Sequence, residues 1–491
     1  MDKSIPLALQ EIIFSSSNTT LSRTLGRYEA QGKLRKIAPR IYTPNMDEEP
    51  EAIIKRNIFT IIGHLYAGAL LSHRSAFEFK PTVTGNLFLT YTYSRKVKLP
   101  GITLNINKGT QNIDGDHLFT NGLYVSQKER AMLENFQQSR KPGPNSKTLS
   151  IPELEDKLEQ IILVKGEDGL NQFRDKAKAI ADEVGMEQEF ERLNKLISAI
   201  LTTKPAKLLS SPVAMARAFG NPYDPARIAL FEKLFITLQQ PFPIIEAPYK
   251  SLKAYRNFSF FDAYFSNYIE GTKFKIDDAK QIIETGQPMA ARDEDSHDIL
   301  GTYQLLSNPA EMAKTPATAE ELLAILRYRH KVLMKARLSV KPGEFKEQNN
   351  IAGTTSFVDH NLVRGTLIKG FDFYRALADP FAKAAYMMFM VSEVHPFNDG
   401  NGRIARVMMN AELHRAGQSN IIIPTVFRID YIGALRQLTR HSNPDVYIKM
   451  LQRAHLFSGT VKGENINEMQ YILEKSNAFK EDEGDILKII T

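Results

Sequence analysis

Apolar positions recur at helical spacing over residues 7–14 and again over residues 21–31, where Thr19 and Thr20 are candidate N-caps and Gly32 a stop. Residues 34–42 then read as two brief extended runs around Pro39, so residues 1–50 follow the order helix, turn, helix, hairpin. Strand-like patterning appears at 86–93 and 97–106, and Leu123-Tyr124-Val125-Ser126 leads into a helical stretch at 129–136. Residues 51–137 are therefore expected to form a small α/β domain. Residues 138–150 hold two prolines, a glycine and three serines, which predicts a linker, and the polar, helical pattern at 151–205 extends this linker-plus-helix segment to residue 222. From about Tyr223 onward helical periodicity dominates, with Gly and Pro setting the breaks. Within it, residues 381–394, with Ala384, Ala385, Met387, Met388 and Met390, predict a buried helix, because straight-chain helix formers outnumber β-branched residues. Residues 456–491 predict a charged tail, a helix followed by a loose end.

Composition narrows the class. At 491 residues, 43% hydrophobic and 24% charged, the chain has apolar material for two or three domains. No run of eighteen apolar residues occurs, and the N-terminus lacks a basic region followed by an unbroken apolar stretch, so neither a membrane span nor a secretion signal is expected. Having no cysteine removes disulfides, thiol nucleophiles and thiolate zinc sites, and a cytoplasmic setting is expected. The first 150 residues hold 20 Lys and Arg against 12 Asp and Glu, whereas the rest hold 43 against 44. A local positive field of this kind suits a phosphate-backbone binder, as it also suits a solvated surface.

Six basic residues, Arg23, Arg27, Lys33, Arg35, Lys36 and Arg40, lie in the second helix and hairpin of the first 50 residues against Glu29 alone. This order suits a winged helix with one helix in the major groove and a basic wing on the DNA backbone; a small helical hairpin with a solvated basic face is the alternative. Taken with Ser72-His73-Arg74-Ser75-Ala76 and the strands after it, the first 140 residues or so resemble the AbiEi family of antitoxin-type transcriptional regulators, which join a winged helix to a compact α/β domain. That resemblance implies DNA as a partner.

The densest chemistry lies at residues 395–406, His395-Pro396-Phe397-Asn398-Asp399-Gly400-Asn401-Gly402-Arg403-Ile404-Ala405-Arg406. Gly400 and Gly402 flank Asn401 where one helix ends and another, from Arg403 to about Arg415, is expected to begin. A helix N-terminus attracts phosphate through free N–H groups and its positive dipole end. Arg403 and Arg406, three apart, can grip further phosphate oxygens, and Asp399 supplies a hard oxygen for Mg²⁺. His395 titrates near neutrality and can take a proton from a hydroxyl, while Phe397 is read as the anchor of the loop. The Gly400-x-Gly402-x-x-Ala405 spacing follows a helical run instead of a strand, which argues against a dinucleotide fold, and the lysine of a Walker loop is missing. His330, His360 and His414 form no ligand pattern and are expected in surface or core roles.

These twelve residues match HxFx[DE]GNGRxxR at every fixed position, and the segment resembles the Fic family of protein adenylyltransferases. The resemblance implies a mainly α fold, an all-helical core over residues 223–455 with a small β-hairpin flap drawn from 343–359. It also implies transfer of AMP from ATP to a Tyr, Ser or Thr hydroxyl of an unidentified protein. His395 would be the base, Asp399 the Mg²⁺ ligand, Gly400, Asn401 and Gly402 the α-phosphate cradle, and Arg403 and Arg406 the groups that receive pyrophosphate. Tyr431 is expected near the adenine. Upstream, Ser266-Asn267-Tyr268-Ile269-Glu270-Gly271 sets Ser266 and Glu270 four apart on one helical face and resembles the family's inhibitory pattern [ST]xxxE[GN], placing an inhibitory helix at 260–271. Glu270 would then compete with the γ-phosphate for Arg406. Alternatives are a DNA-binding regulator with a locked nucleotide site and removal of AMP by the same site; self-modification and a homodimer stay open.

Overall fold

The computed structural model describes residues 10–15, 19–139, 143–201, 209–352, 355–482 and 484–490. The chain divides into two compact units, residues 1–218 and 219–491. Among the described residues no helix is long and apolar enough to cross a membrane.

In the first unit, strands β1 (Ile13–Phe14), β2 (Arg35–Ala38) and β3 (Ile41–Thr43) form an antiparallel sheet in the order β1-β3-β2, with helix α1 (Thr19–Ala30) between the first two in sequence. The expected helix over 7–14 is corrected here. Ile13 and Phe14 pair with Tyr42 and Ile41 as a strand, and residues 7–9 lie outside the described residues. Thr19 and Thr20 open α1 rather than precede it, and Gly32, at φ 66°, follows its end.

Helices α2 (Pro50–Arg56) and α3 (Ile58–Leu65) then lead into a mixed six-stranded sheet. Its strands are β4 (Leu70–Leu71), β5 (Asn86–Tyr91), β6 (Arg95–Leu99), β7 (Ile102–Lys108), β8 (His117–Thr120) and β9 (Leu123–Val125), in the order β6-β7-β5-β4-β9-β8. The single run expected at 97–106 is two strands turned at Gly101, because Gly101 takes φ 69°. Helices α4 (His73–Glu78) and α5 (Lys128–Asn135) carry a buried polar network: Glu134 accepts from the His73 amide at 2.9 Å and from Arg130 at 3.1 Å, and Arg130 reaches Asp116 at 2.5 Å.

Helices α6 (Ile151–Val184), α7 (Glu187–Ile200) and α8 (Pro212–Ala218) complete the unit as expected from their pattern. The expected linker at 138–150 is a packed segment in its described part. Ser146 and Thr148 are buried, and the Arg74 guanidinium donates to the carbonyls of Ser146 and Thr148 at 3.2 Å each. A chain this rich in Pro and Ser is fixed here because a buried cation needs its carbonyls.

The second unit is helical: α9 (Pro225–Thr237), α10 (Leu252–Ile269), α11 (Ile276–Thr285), α12 (Asp293–Leu306), α13 (Pro309–Met312), α14 (Ala319–Leu333), α15 (Val363–Ala376), α16 (Pro380–Val394), α17 (Asn401–Arg415), α18 (Arg428–His441), α19 (Pro444–Ser458) and α20 (Ile466–Lys475). Between α14 and α15 lies one antiparallel hairpin, β10 (Ile351–Ala352) with β11 (Thr355–Ser356); Gly353, the expected break, lies outside the described residues. Helix α16 is buried along nearly its whole length and, with α10 and α17, forms the centre of one continuous core.

The tail expected at 456–491 is part of that core. Met469 and Leu473 on α20, then Ala478 and Leu487, are buried although charges surround them in sequence. Leu473→Ala should therefore destabilise the second unit by about 2–5 kcal/mol, read as a lower urea midpoint, whereas a free tail would give no change.

Candidate active site

Helix α16 stops at His395, which takes a left-handed φ of 52° as its C-cap. Gly400, at φ 75°, then opens α17, and a Cβ there would come within 2.9 Å of the Met334 sulfur, so this position needs glycine on both counts. The helix begins at Asn401, two residues before the start expected from the sequence. Between the two helices the loop is clamped from within by Asn401. Asn401 Oδ1 accepts from the Phe397 amide and its Nδ2 donates to the Phe397 carbonyl, both at 2.8 Å, and the residue is 2% exposed.

Phe397 is buried, as expected of an anchor, and its ring lies flat on His330 with centroids 3.8 Å apart. His330 accepts from the Gly343 amide at Nδ1, so the proton sits on Nε2, which donates to the Asp399 carbonyl at 3.1 Å. Burial pushes this imidazole down to about 4, so it is neutral while it holds the loop.

Arg406 is 3% exposed and its guanidinium is bonded throughout. Nε donates to Ser266 Oγ at 2.9 Å, Nη2 to the Ser266 carbonyl at 2.8 Å and to Glu270 Oε1 at 2.7 Å, and Nη1 to the Tyr431 hydroxyl at 3.2 Å. Glu270 caps α10, so its carboxylate leaves the helix end and reaches the first turn of α17. There a Cβ on Gly402 would meet Glu270 Oε1 at 2.2 Å, so only glycine lets the carboxylate approach this closely. The anion thus rests on a helix N-terminus and a buried cation together.

His395 stands across the same cavity. The cavity has a volume of about 400 Å³ and is bordered by His395, Gly402, Arg406, Glu270, Tyr431 and the hairpin residues Thr355 and Phe357. The Phe357 ring stacks on the imidazole at 3.7 Å between centroids, and Nδ1 lies 3.2 Å from the Ser392 carbonyl. That bond puts the proton on Nδ1 and leaves the Nε2 lone pair free to accept another. Burial, with a smaller contribution from the Lys346 charge, holds the group down to about 4.

Not every expected residue meets the cavity. Arg403 is turned away: its Nη1 pairs with Asp298 on α12 at 2.6 Å and lies 3.3 Å from Asn267 Oδ1. This buried ion pair occupies the guanidinium expected to grip phosphate, and its Nη2 lies 3.8 Å from Asp399 Oδ2. Asn401, expected at the phosphate, has its side-chain amide bonded to the loop backbone. Tyr431 borders the cavity but spends its hydroxyl on Arg406. Asp399 is half exposed beside the cradle, its Oδ1 accepting from the Gly400 amide at 2.6 Å. Among the described residues no group of three or more His, Cys, Asp or Glu is arranged to hold a metal. In the first unit, Arg23, Arg27, Lys33, Lys36 and Arg40 are exposed, while Arg35 is half-buried and donates to the Glu48 carbonyl.

Sequence reasoning missed the face of α18 that closes the cavity, Arg428, Ile432, Leu435, Arg436 and Thr439. Their spacing of four, three, one and three is that of one helical face, and this was the available signal. The loop clamp yields a prediction. Asn401→Ala strands the Phe397 amide in a buried place, while the carbonyl keeps Asn350 Nδ2 at 2.9 Å, and should cost about 1–3 kcal/mol in urea unfolding; an unchanged midpoint contradicts the clamp.

The profile of the Fic/DOC family matches residues 318–413. A Fido domain-containing protein of Dictyostelium discoideum is 30% identical over 107 residues, which cover 21% of this chain and 75% of that protein. A protein adenylyltransferase Fic of Drosophila persimilis is 28% identical over 182 residues, 35% of each chain, so this chain spans about a third of that relative's length. A solved Fic protein from C. elegans aligns with 67% of this chain and 94% of its own at 15% identity, with a TM-score of 0.37. With the complete motif from His395 to Arg406 built around a helix N-terminus inside the matched region, the chain belongs to the Fic/DOC family.

Proposed function

We propose that the helical unit is a protein adenylyltransferase that moves the AMP part of ATP onto a protein hydroxyl of Tyr, Ser or Thr, and that Glu270 holds it in check. The observation that carries this reading is the meeting, in one cavity, of a neutral imidazole, a helix N-terminus and a buried guanidinium whose partner is a carboxylate. The names of the adenylyltransferase relatives from Drosophila support the reaction class and ATP as the donor.

In this reading His395 Nε2 accepts the hydroxyl proton as the hydroxyl oxygen bonds to the α-phosphorus. The bond from that phosphorus to the bridging oxygen breaks, and diphosphate leaves. The free amides of the first turn of α17 favour the phosphate chain, and the open face of Gly402 allows its close approach. Arg406 would receive the γ-phosphate in place of Glu270, since both anions want the same guanidinium. Asp399 fits Mg²⁺, which is usually held by one or two carboxylates together with phosphate oxygens; bound there, the ion would offset charge on the leaving diphosphate. Arg403 and Asn401 serve as positioning residues, one tying α17 to α12 and the other fixing the loop.

For residues 10–50 we propose a polyanion-binding surface, with DNA as its partner. The support is the exposure of five of the six expected basic side chains on α1 and the β2–β3 hairpin. Replacing Arg23, Arg27 and Lys36 with glutamine should weaken duplex binding and flatten its salt dependence, by about one unit of slope per lost contact.

Glu270→Gly should raise labelled AMP transfer into lysate proteins by tenfold or more, on the order expected for freeing a buried charge-assisted bond, and His395→Ala in that background should abolish it. Labelling that ignores either change rejects the reading. The pH profile of Glu270→Gly follows from the lowered His395 value: the base is neutral above about 4, so transfer should stay level down to about pH 5 and fall below it as the imidazole gains its proton.

A further inference from the structure

The hairpin beside His395 has two residue pairs, Ile351 with Ser356 and Ala352 with Thr355. A hairpin this short does not hold itself in water. Its outer strand is instead tied to two helices. Arg227, in the first turn of α9, donates from Nη2 to the Ser356 carbonyl at 2.7 Å, and its Nε faces Glu393 Oε1 at 3.1 Å. Glu393 Oε2 accepts from the Thr439 hydroxyl of α18 at 2.6 Å, and Arg440 donates to Thr355 Oγ1 at 3.0 Å.

Two features make this more than a surface pair. A guanidinium at a helix N-terminus sits at the positive end of the dipole, so its place there depends on a nearby anion. Glu393 supplies it with a side chain only 4% exposed, whose Oε1 meets the facing Arg227 Nε as an ion pair with no hydrogen bond on either atom. In addition, Glu393 stands two residues before His395 on the same helix end. The group that anchors the hairpin and the imidazole are therefore set by one rigid element.

We infer that half-buried Arg227 and buried Glu393 form a clamp that fixes strand β11 at a set position relative to His395 and keeps the Phe357 ring on its imidazole. They are positioning residues for the acceptor side of the cavity. Arg227 acts as a fork, with one arm on the carboxylate and one on the strand, a geometry that lysine cannot reproduce. The functional meaning rests on the transfer reaction proposed above, but the clamp itself is read without any turnover.

The test uses the full chain with two signals, amide hydrogen exchange over residues 355–358 and the His395 Cε1 proton resonance, which the stacked Phe357 ring shifts. Arg227→Lys keeps a cation beside Glu393 while losing the bond to Ser356. Exchange at 355–358 should rise about tenfold, the loss expected for one charge-assisted bond, and the His395 resonance should move toward its unstacked position, with the urea midpoint little changed. Thr439→Val, which loosens Glu393 only, should move both signals the same way by less, and it serves should Arg227→Lys not fold. Unchanged signals, or faster exchange spread evenly over the helical unit, overturn the clamp. Since neither signal needs AMP transfer, failure of the clamp and failure of the proposed reaction are separately visible.

Discussion

A buried guanidinium has to be satisfied, and the way Arg406 is satisfied organises the second unit. Ser266, Glu270 and Tyr431 come from two helices far apart in sequence, and all of them end on this one side chain. Arg406 is the buried charge of the pair, since the Glu270 side chain is 32% exposed, and leaving that guanidinium without an anion is costly. A phosphate group escapes that penalty by offering the same kind of oxygen. The proposed brake rests on this: the contact between Glu270 and Arg406 forms within the chain, and a nucleotide phosphate would compete for the same guanidinium.

The rest of the site follows from two helix ends that meet. Helix α16 delivers His395 in a left-handed cap, and α17 begins six residues later with its amides open. The loop between them keeps its shape through Asn401 below and His330 beside it, neither of which borders the cavity. Because both are buried and fully bonded, the loop is set before any ligand arrives. Preorganisation of this kind lets electrostatic stabilisation act without rearrangement during the reaction.

The meeting of Ser266 and Glu270 with the Arg406 end of the motif was legible because these residues hold fixed positions on helices. Ser266 and Glu270 lie one turn apart, and Gly402 stands where the new helix starts, so spacing alone brings each toward the phosphate end. The bonds that Arg403 and Asn401 make were not legible, because their partners are invisible to spacing: Asp298 comes from a distant helix, and Phe397 offers only backbone atoms. In the first unit, Ile13 and Phe14 looked helical because a two-residue strand carries no period, and pairing with β3 decided the matter. The segment at 138–150 and the final helix looked solvated by composition. Each is held by a few buried contacts, Arg74 in one case and Met469 and Leu473 in the other, that composition averages away.

The central claim is that Glu270 occupies on Arg406 the place of a γ-phosphate. Calorimetric titration of ATP and ADP into the wild-type chain and into Glu270→Gly tests it directly. The account predicts that ATP gains affinity strongly over ADP when Glu270 is removed, since the third phosphate then finds a free guanidinium. An equal change for both nucleotides, or none for either, would contradict it.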